Sequence, residues 1–172
     1  NWDMSQAVKL KVSGEIEDLV AGEMPTMMPV EVARMAKQSK CLLCAYTYTE
    51  PTVFLEYAED CAIEAKKLGL RNVFKTNGYE SATTVQRLKG LIDAANVDLK
   101  GSDEFYKKLC KARAGPVMNT IKNMKEAGIW VEVTTLVIPD ENDSEKDLTD
   151  IANFIASVSV DIPWHVTQFH PD

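Results

Sequence analysis

No apolar run in the chain approaches the ~20 residues that a membrane-spanning helix needs. A basic stripe is missing too: the formal charge is −7, and a nucleic-acid-binding surface requires the opposite sign. Histidine is scarce, with two in 172 residues. Cysteine occurs only at 41, 44, 61 and 110, without the paired spacing of a disulfide framework, which fits a reducing cytoplasm. There is no linker, low-complexity tract or internal repeat, so residues 1–172 read as one domain. What remains is an ordinary globular composition, 45% apolar and 26% charged. A chain of this length buries roughly two-thirds of its unfolded surface.

Within that frame, β-branched and aromatic content marks five strands, at about 41–48, 72–76, 95–99, 130–138 and 164–169. A helix over about 29–38 precedes them. Residues 52–68 carry the stripe Phe54, Tyr57, Cys61, Ala65 and Leu68, which places Cys61 in the core, and Gly69 stops the helix. Ser81 opens a helix over 81–92 with Val85, Leu88 and Ile92 on one side. A short helix over 103–110 brings Cys110 into the core with Phe105 and Tyr106. Pro116 suits the first turn of a helix over 116–127, which ends at Gly128. Ser144 and Asp147 have capping-box-like spacing at the start of a helix over 144–158. Strict β-then-α alternation implies right-handed crossovers and a parallel sheet. Five such strands suit an open doubly wound sheet or an incomplete barrel.

Every strand ends in polar residues: Tyr46 to Pro51, Lys75 to Gly78, Asp98 to Lys100, Thr134-Thr135, and Gln168 to His170. In parallel α/β proteins the carboxyl ends of the strands line the site, so these clusters predict a substantial ligand pocket. Strand alternation puts Tyr46, Tyr48 and Glu50 on one side. A carboxylate there, locked by Pro51, suits a ligand ammonium group; it equally suits a cap for the helix beginning near Thr52. Thr76-Asn77-Gly78 can bring backbone close to a ligand, and it is also a common plain turn. Asp98 and Lys100 share a face, either as functional groups or as a mutually satisfied ion pair. His170 ends the last strand in a position for ligand contact, whereas His165 lies near its start and reads as structural. Cys41 and Cys44 have the spacing of half a zinc site, but no second pair is near, and Leu42, Leu43 and Ala45 set both cysteines inside a buried strand.

The ordered set of Ala45–Pro51, Thr76–Tyr79, Ala95–Lys100, Trp130–Leu136 and Trp164–Pro171 resembles the radical S-adenosylmethionine enzymes, of the AmmeMemoRadiSam-system type. That type is similar to the pyruvate formate-lyase activating enzymes. The resemblance implies an incomplete parallel (β/α)6 barrel that works with S-adenosylmethionine and a [4Fe-4S] cluster. It implies that the cluster's C-x-x-x-C-x-x-C loop and the first barrel strand lie upstream of the stretch Asn1-Trp2-Asp3-Met4-Ser5, and that the domain is truncated at both ends. Cys41 and Cys44 match neither the position nor the spacing of that loop. Glu50 matches the acidic residue that contacts the methionyl ammonium, with Tyr48 and Thr49 at the neighbouring glycine positions. Thr76 and Asn77 match the second strand-end motif; Asp98 and Lys100 match a pair near the cofactor carboxylate and substrate; His170 matches a strand-end histidine near the cofactor. Lys75 stands where the activating enzymes carry an aspartate, and Asp140 stands at a usual turn glycine.

The implied activity is reductive cleavage of S-adenosylmethionine to a 5′-deoxyadenosyl radical that abstracts hydrogen from a substrate, either a glycyl-radical protein or a small molecule. The implied electron donor is a low-potential flavodoxin or ferredoxin. Two other readings compete: a Schiff-base aldolase with Lys100 as nucleophile and Asp98 as proton shuttle, and a cluster-less nucleotide-binding module. With the cluster cysteines upstream, the 172-residue chain reconstituted with iron and sulfide is expected to form no 5′-deoxyadenosine under reducing conditions. Formation of that product would overturn the expectation.

Overall fold

In a computed structural model of the chain, residues 27–170 are described; the Asn1–Ser5 stretch lies outside them. The elements are α1 (Pro29–Gln38), β1 (Leu43–Tyr46), a 3-10 turn (Pro51–Phe54), α2 (Leu55–Lys67), β2 (Arg71–Thr76), α3 (Ala82–Leu88) and β3 (Ala94–Asp98). A helical turn (Asp103–Phe105) running into a π turn (Tyr106–Cys110) follows, then α4 (Ala114–Glu126), β4 (Trp130–Val137), α5 (Glu145–Val158) and β5 (Trp164–Gln168).

The five strands are parallel and adjacent in sequence order, β1-β2-β3-β4-β5. A doubly wound sheet reverses its order at a switch point; this one does not. Right-handed crossovers that always step the same way lay their helices on one face, which is the wall of a barrel. Burial follows that rule. Asn72, Phe74, Thr76, Ala95, Val97, Val131, Val133 and Thr135 are buried beneath the helices. The alternate positions Lys75, Asn96, Asp98, Glu132 and Thr134 remain half-exposed on the other face. The sheet is thus an open α/β barrel wall.

Several details depart from the sequence reading. Extended pairing begins only at Leu43↔Arg71, so Cys41 lies outside β1 and is exposed, while Cys44 is buried. The chain leaves β1 after Tyr46 and passes through φ +70° at Tyr48, which ends the alternation expected to align Tyr46, Tyr48 and Glu50. The 3-10 turn sets the phase of α2, whose buried residues are Leu55, Ala58, Cys61, Ala62 and Ala65. Tyr57 falls at the edge of that stripe and donates its hydroxyl to the Met27 carbonyl at 2.8 Å. α3 stops at Leu88; Gly90, at φ +79°, breaks it, and Ile92 is buried from the following turn. The wider π turn carries Cys110 out of the core into solvent.

Buried polar groups tie the layers. Asn72 accepts from the Tyr46 hydroxyl at 3.1 Å and donates to the carbonyls of Ala62 and Leu91, each at 3.1 Å. Gly78 is required at the end of β2: it sits at φ +74°, and a Cβ there would lie 2.6 Å from Val97 Cγ1 and 2.9 Å from Val117 Cγ1. Gly69 has φ +73° with open space around it. Gly78→Ala is therefore expected to cost roughly 2–4 kcal/mol by urea denaturation, against about 1 kcal/mol for Gly69→Ala, which meets backbone strain alone. Equal losses would refute the packing argument.

Candidate functional site

Glu50 stands at the N-cap of the 3-10 turn, where Pro51 fixes the chain direction. Its Oε1 accepts from the Thr52 hydroxyl at 3.0 Å and the Thr52 N–H at 3.4 Å. The same oxygen accepts from Thr76 Oγ1 at 2.7 Å, and Oε2 accepts from the Asn77 N–H at 2.6 Å. Both alternatives read from the sequence are thus present together: the carboxylate caps the turn and also grips the end of β2. Among the described residues all of these donors are neutral. A half-buried carboxylate whose hydrogen-bond donors are all neutral offers a seat for a cation. Tyr48, at a position where the resembled segment has glycine, takes φ +70° and leaves its ring exposed.

Asn77 makes an Asx turn, its Oδ1 accepting from the Tyr79 N–H at 2.8 Å. The glycine after it brings the backbone close to Val97 and Val117 of the core rather than to the open face. Directly behind the turn is Glu80, which no sequence pattern singles out. It is buried, its Oε1 lies 3.0 Å from Thr76 Oγ1, and its Oε2 has no hydrogen-bond partner among the described residues. Burial pushes its carboxyl up to about 7; the Thr76 hydrogen bond opposes this and the Glu50 charge adds to it.

A second group occupies the open face of the sheet. Asp98 takes Lys100 Nζ on Oδ2 at 2.8 Å and Lys75 Nζ on Oδ1. Lys75 also donates to Asn96 Oδ1 at 2.9 Å, which accepts from Thr134 Oγ1 at 2.8 Å. Two ammonium groups on one carboxylate leave a net positive charge, a setting that attracts an anion. Tyr106 donates to the Asp98 carbonyl at 3.2 Å and accepts from the Lys100 N–H at 3.1 Å, which fixes this strand end. Burial pushes the Tyr106 phenol up to about 12. Asn142, also missed from sequence, is buried and donates to the carbonyls of Lys100 at 2.5 Å and Leu136 at 2.9 Å.

The structure therefore brings Glu50, Thr76 and Asn77 together, and Asp98 and Lys100 together. Lys75 and Thr76 are consecutive on β2 and face opposite ways, so the two groups share one strand end. His170 is exposed beyond β5 and makes no hydrogen bond to either group among the described residues. His165 lies 3.0 Å from Glu132 on the open face.

Residues 17–154 match the Radical SAM superfamily. The chain belongs to that superfamily. An uncharacterised protein of Methanocaldococcus jannaschii is 43% identical over 147 residues, which are 85% of this chain. The chain spans only 44% of that relative's length. Among solved structures, a domain of pyruvate-formate lyase-activating enzyme from Bacteroides vulgatus superposes with a TM-score of 0.60 at 19% identity, covering 72% of this chain and 74% of that one. Streptococcus suis SuiB bound to S-adenosylmethionine gives 0.68 at 16% identity, covering 85% of this chain and 34% of SuiB. At these identities the likeness is one of fold: this radical SAM chain has the open parallel barrel wall of both.

The described residues do not fit an iron–sulfur cluster. Among them no three His, Cys, Asp or Glu side chains converge as metal ligands, and Cys41 and Cys44 differ in burial across the start of β1. No helix among them is long and apolar enough to cross a membrane.

Glu80 makes stability depend on pH. Its folded-state value lies above the 4.5 of an ordinary glutamate, so its contribution is fully present below pH 4.5 and is lost as pH rises through about 7. Compared with Glu80→Gln across that window, the wild type is expected to lose up to roughly 3 kcal/mol of relative stability in thermal or urea melts. Parallel pH profiles for the two proteins would refute this.

Proposed function

We propose that this chain is the S-adenosylmethionine-binding core of a radical SAM enzyme of the AmmeMemoRadiSam type, akin to the pyruvate formate-lyase activating enzymes. In this reading residues 1–172 are one part of a longer catalytic domain, which supplies the ligands of a [4Fe-4S] cluster. The observation that carries the reading is the Glu50 carboxylate, held at the ends of β1 and β2 by neutral donors and left with its charge unmatched among the described residues. An amino acid ligand presents an ammonium and a carboxylate. Glu50, oriented by Thr76 and by the Asn77 backbone, takes the first. Lys100, sharing Asp98 with Lys75, supplies the positive charge for the second. His170, at the exit of β5, lies on the same rim and takes the adenosyl side.

Substrate hydrogen abstraction and the electron donor, a low-potential flavodoxin or ferredoxin, belong to the complete protein. Its substrate is a glycyl-radical protein or a small molecule. In the Schiff-base alternative the 2.8 Å contact between Lys100 Nζ and Asp98 is the one a proton shuttle makes, but the Glu50, Thr76 and Asn77 group is left without a role. The cluster-less binding module shares the Glu50 site and differs in lacking the chemistry.

Calorimetry with S-adenosylhomocysteine tests the reading, since that molecule carries the same amino acid end. Glu50→Gln keeps the shape and removes the charge, and it is expected to weaken binding roughly 10- to 100-fold. Affinity equal to wild type would remove Glu50 from the site.

A further inference from the structure

The cofactor reading leaves Glu80 unexplained. A buried carboxylate with one oxygen lacking a partner among the described residues is costly, more so than a neutral acid in the same place. The hydroxyl of Thr76 supplies the decisive count, because it carries one hydrogen and two lone pairs. Three groups press on it: the Gly78 N–H at 3.0 Å, Glu50 Oε1 at 2.7 Å and Glu80 Oε1 at 3.0 Å. The N–H fills one lone pair. The single hydrogen can go to only one of the two carboxyls, and the other then faces a lone pair at hydrogen-bond distance. With both carboxyls ionised the arrangement is repulsive. It closes when Glu80 Oε1 carries a proton, for then Glu80 donates to Thr76 and Thr76 donates to Glu50. The shorter of the two contacts is the one to Glu50, as befits a charged acceptor.

We propose that Glu80 is a neutral acid and a positioning residue: its proton commits the Thr76 hydroxyl to Glu50, so that the strand end offers a ligand ammonium one oriented carboxylate. The ligand half of this statement rests on the proposed role of Glu50. The surroundings of Glu80 agree with it. Thr76 of β2 and Thr120 of α4 bring only hydroxyls, the latter donating to the Glu80 backbone carbonyl at 3.1 Å, and Glu50 is the charged group acting on it among the described residues. Burial raises the carboxyl and the Glu50 charge raises it further, in the direction the proton count requires.

Three variants of the 172-residue chain test the proposal by infrared spectroscopy and S-adenosylhomocysteine calorimetry. At about pH 6, below the folded-state value, the wild type minus Glu80→Gln difference spectrum is expected to show a protonated carboxylic acid C=O band. Its absence overturns the proposal. Glu80→Gln keeps a neutral donor toward Thr76 and is expected to bind within about threefold of wild type, whereas Glu80→Met, which has none, binds about tenfold more weakly. At about pH 8 Glu80→Met is expected to be no less stable than wild type, because it removes a buried polar group; weaker binding without lost stability separates positioning from mere packing. Wild-type affinity in a folded Glu80→Met protein overturns the positioning role. Glu50→Gln is measured alongside. If it binds like wild type, or if no variant binds at all, the reading of Glu50 falls, and the infrared band still decides the state of Glu80.

Discussion

The turn that closes β2 reverses at Gly78, where the side chains of Val97 and Val117 fill the space that a Cβ would need. That close approach holds the Glu50 group in place. It buries Thr76 under the helices, aims the Asn77 N–H at Glu50 and draws Glu80 into the interior behind them. The core thus positions the site directly. Val97 belongs to β3, and Val117 to α4, so the register of Val97↔Thr76 and the docking of α4 fix where the polar turn can lie. A packing constraint and a binding geometry are here one arrangement.

Consecutive residues on β2 serve two different electrostatic environments. Lys75 points to the half-exposed face, where Asp98, Lys100, Asn96 and Thr134 surround it and water moderates every charge. Thr76 points the other way, where burial makes the charge of a neighbouring carboxyl matter far more. Strand pleating separates a net positive cluster from a net negative one across a single peptide bond. Charges of both signs are thereby presented at one strand end.

The strands, their parallel sense and the polar rim were legible in the sequence, because apolar β-branched runs and helical stripes alternate strictly. Strand order was not, since an open doubly wound sheet and a barrel wall carry the same pattern; the one-sided burial of alternate positions such as Phe74 and Lys75 distinguishes them. Local phase was also hidden. The 3-10 turn at Pro51–Phe54 rotates α2, a shift that Pro51 marks as a helix start but not as a 3-10 one, and the π turn at Tyr106–Cys110 exposes a cysteine with no such marker. Tyr48 and Asp140 adopt φ +70° and +65° without being glycine. Glu80 left no trace at all, because a lone acid before a helix cap looks like a solvated one. Its burial follows from Gly78, three-dimensional information that a linear pattern does not carry.

Asn142 joins the loops that follow β3 and β4. Its amide reaches the Lys100 carbonyl on one side and the Leu136 carbonyl and Ile138 N–H on the other. One side chain thus satisfies three backbone groups: the Lys100 carbonyl after β3, the Leu136 carbonyl within β4 and the Ile138 N–H just after it. Removing that side chain would leave backbone groups after both strands unpaired at once, so two neighbouring strand ends depend on a single amide.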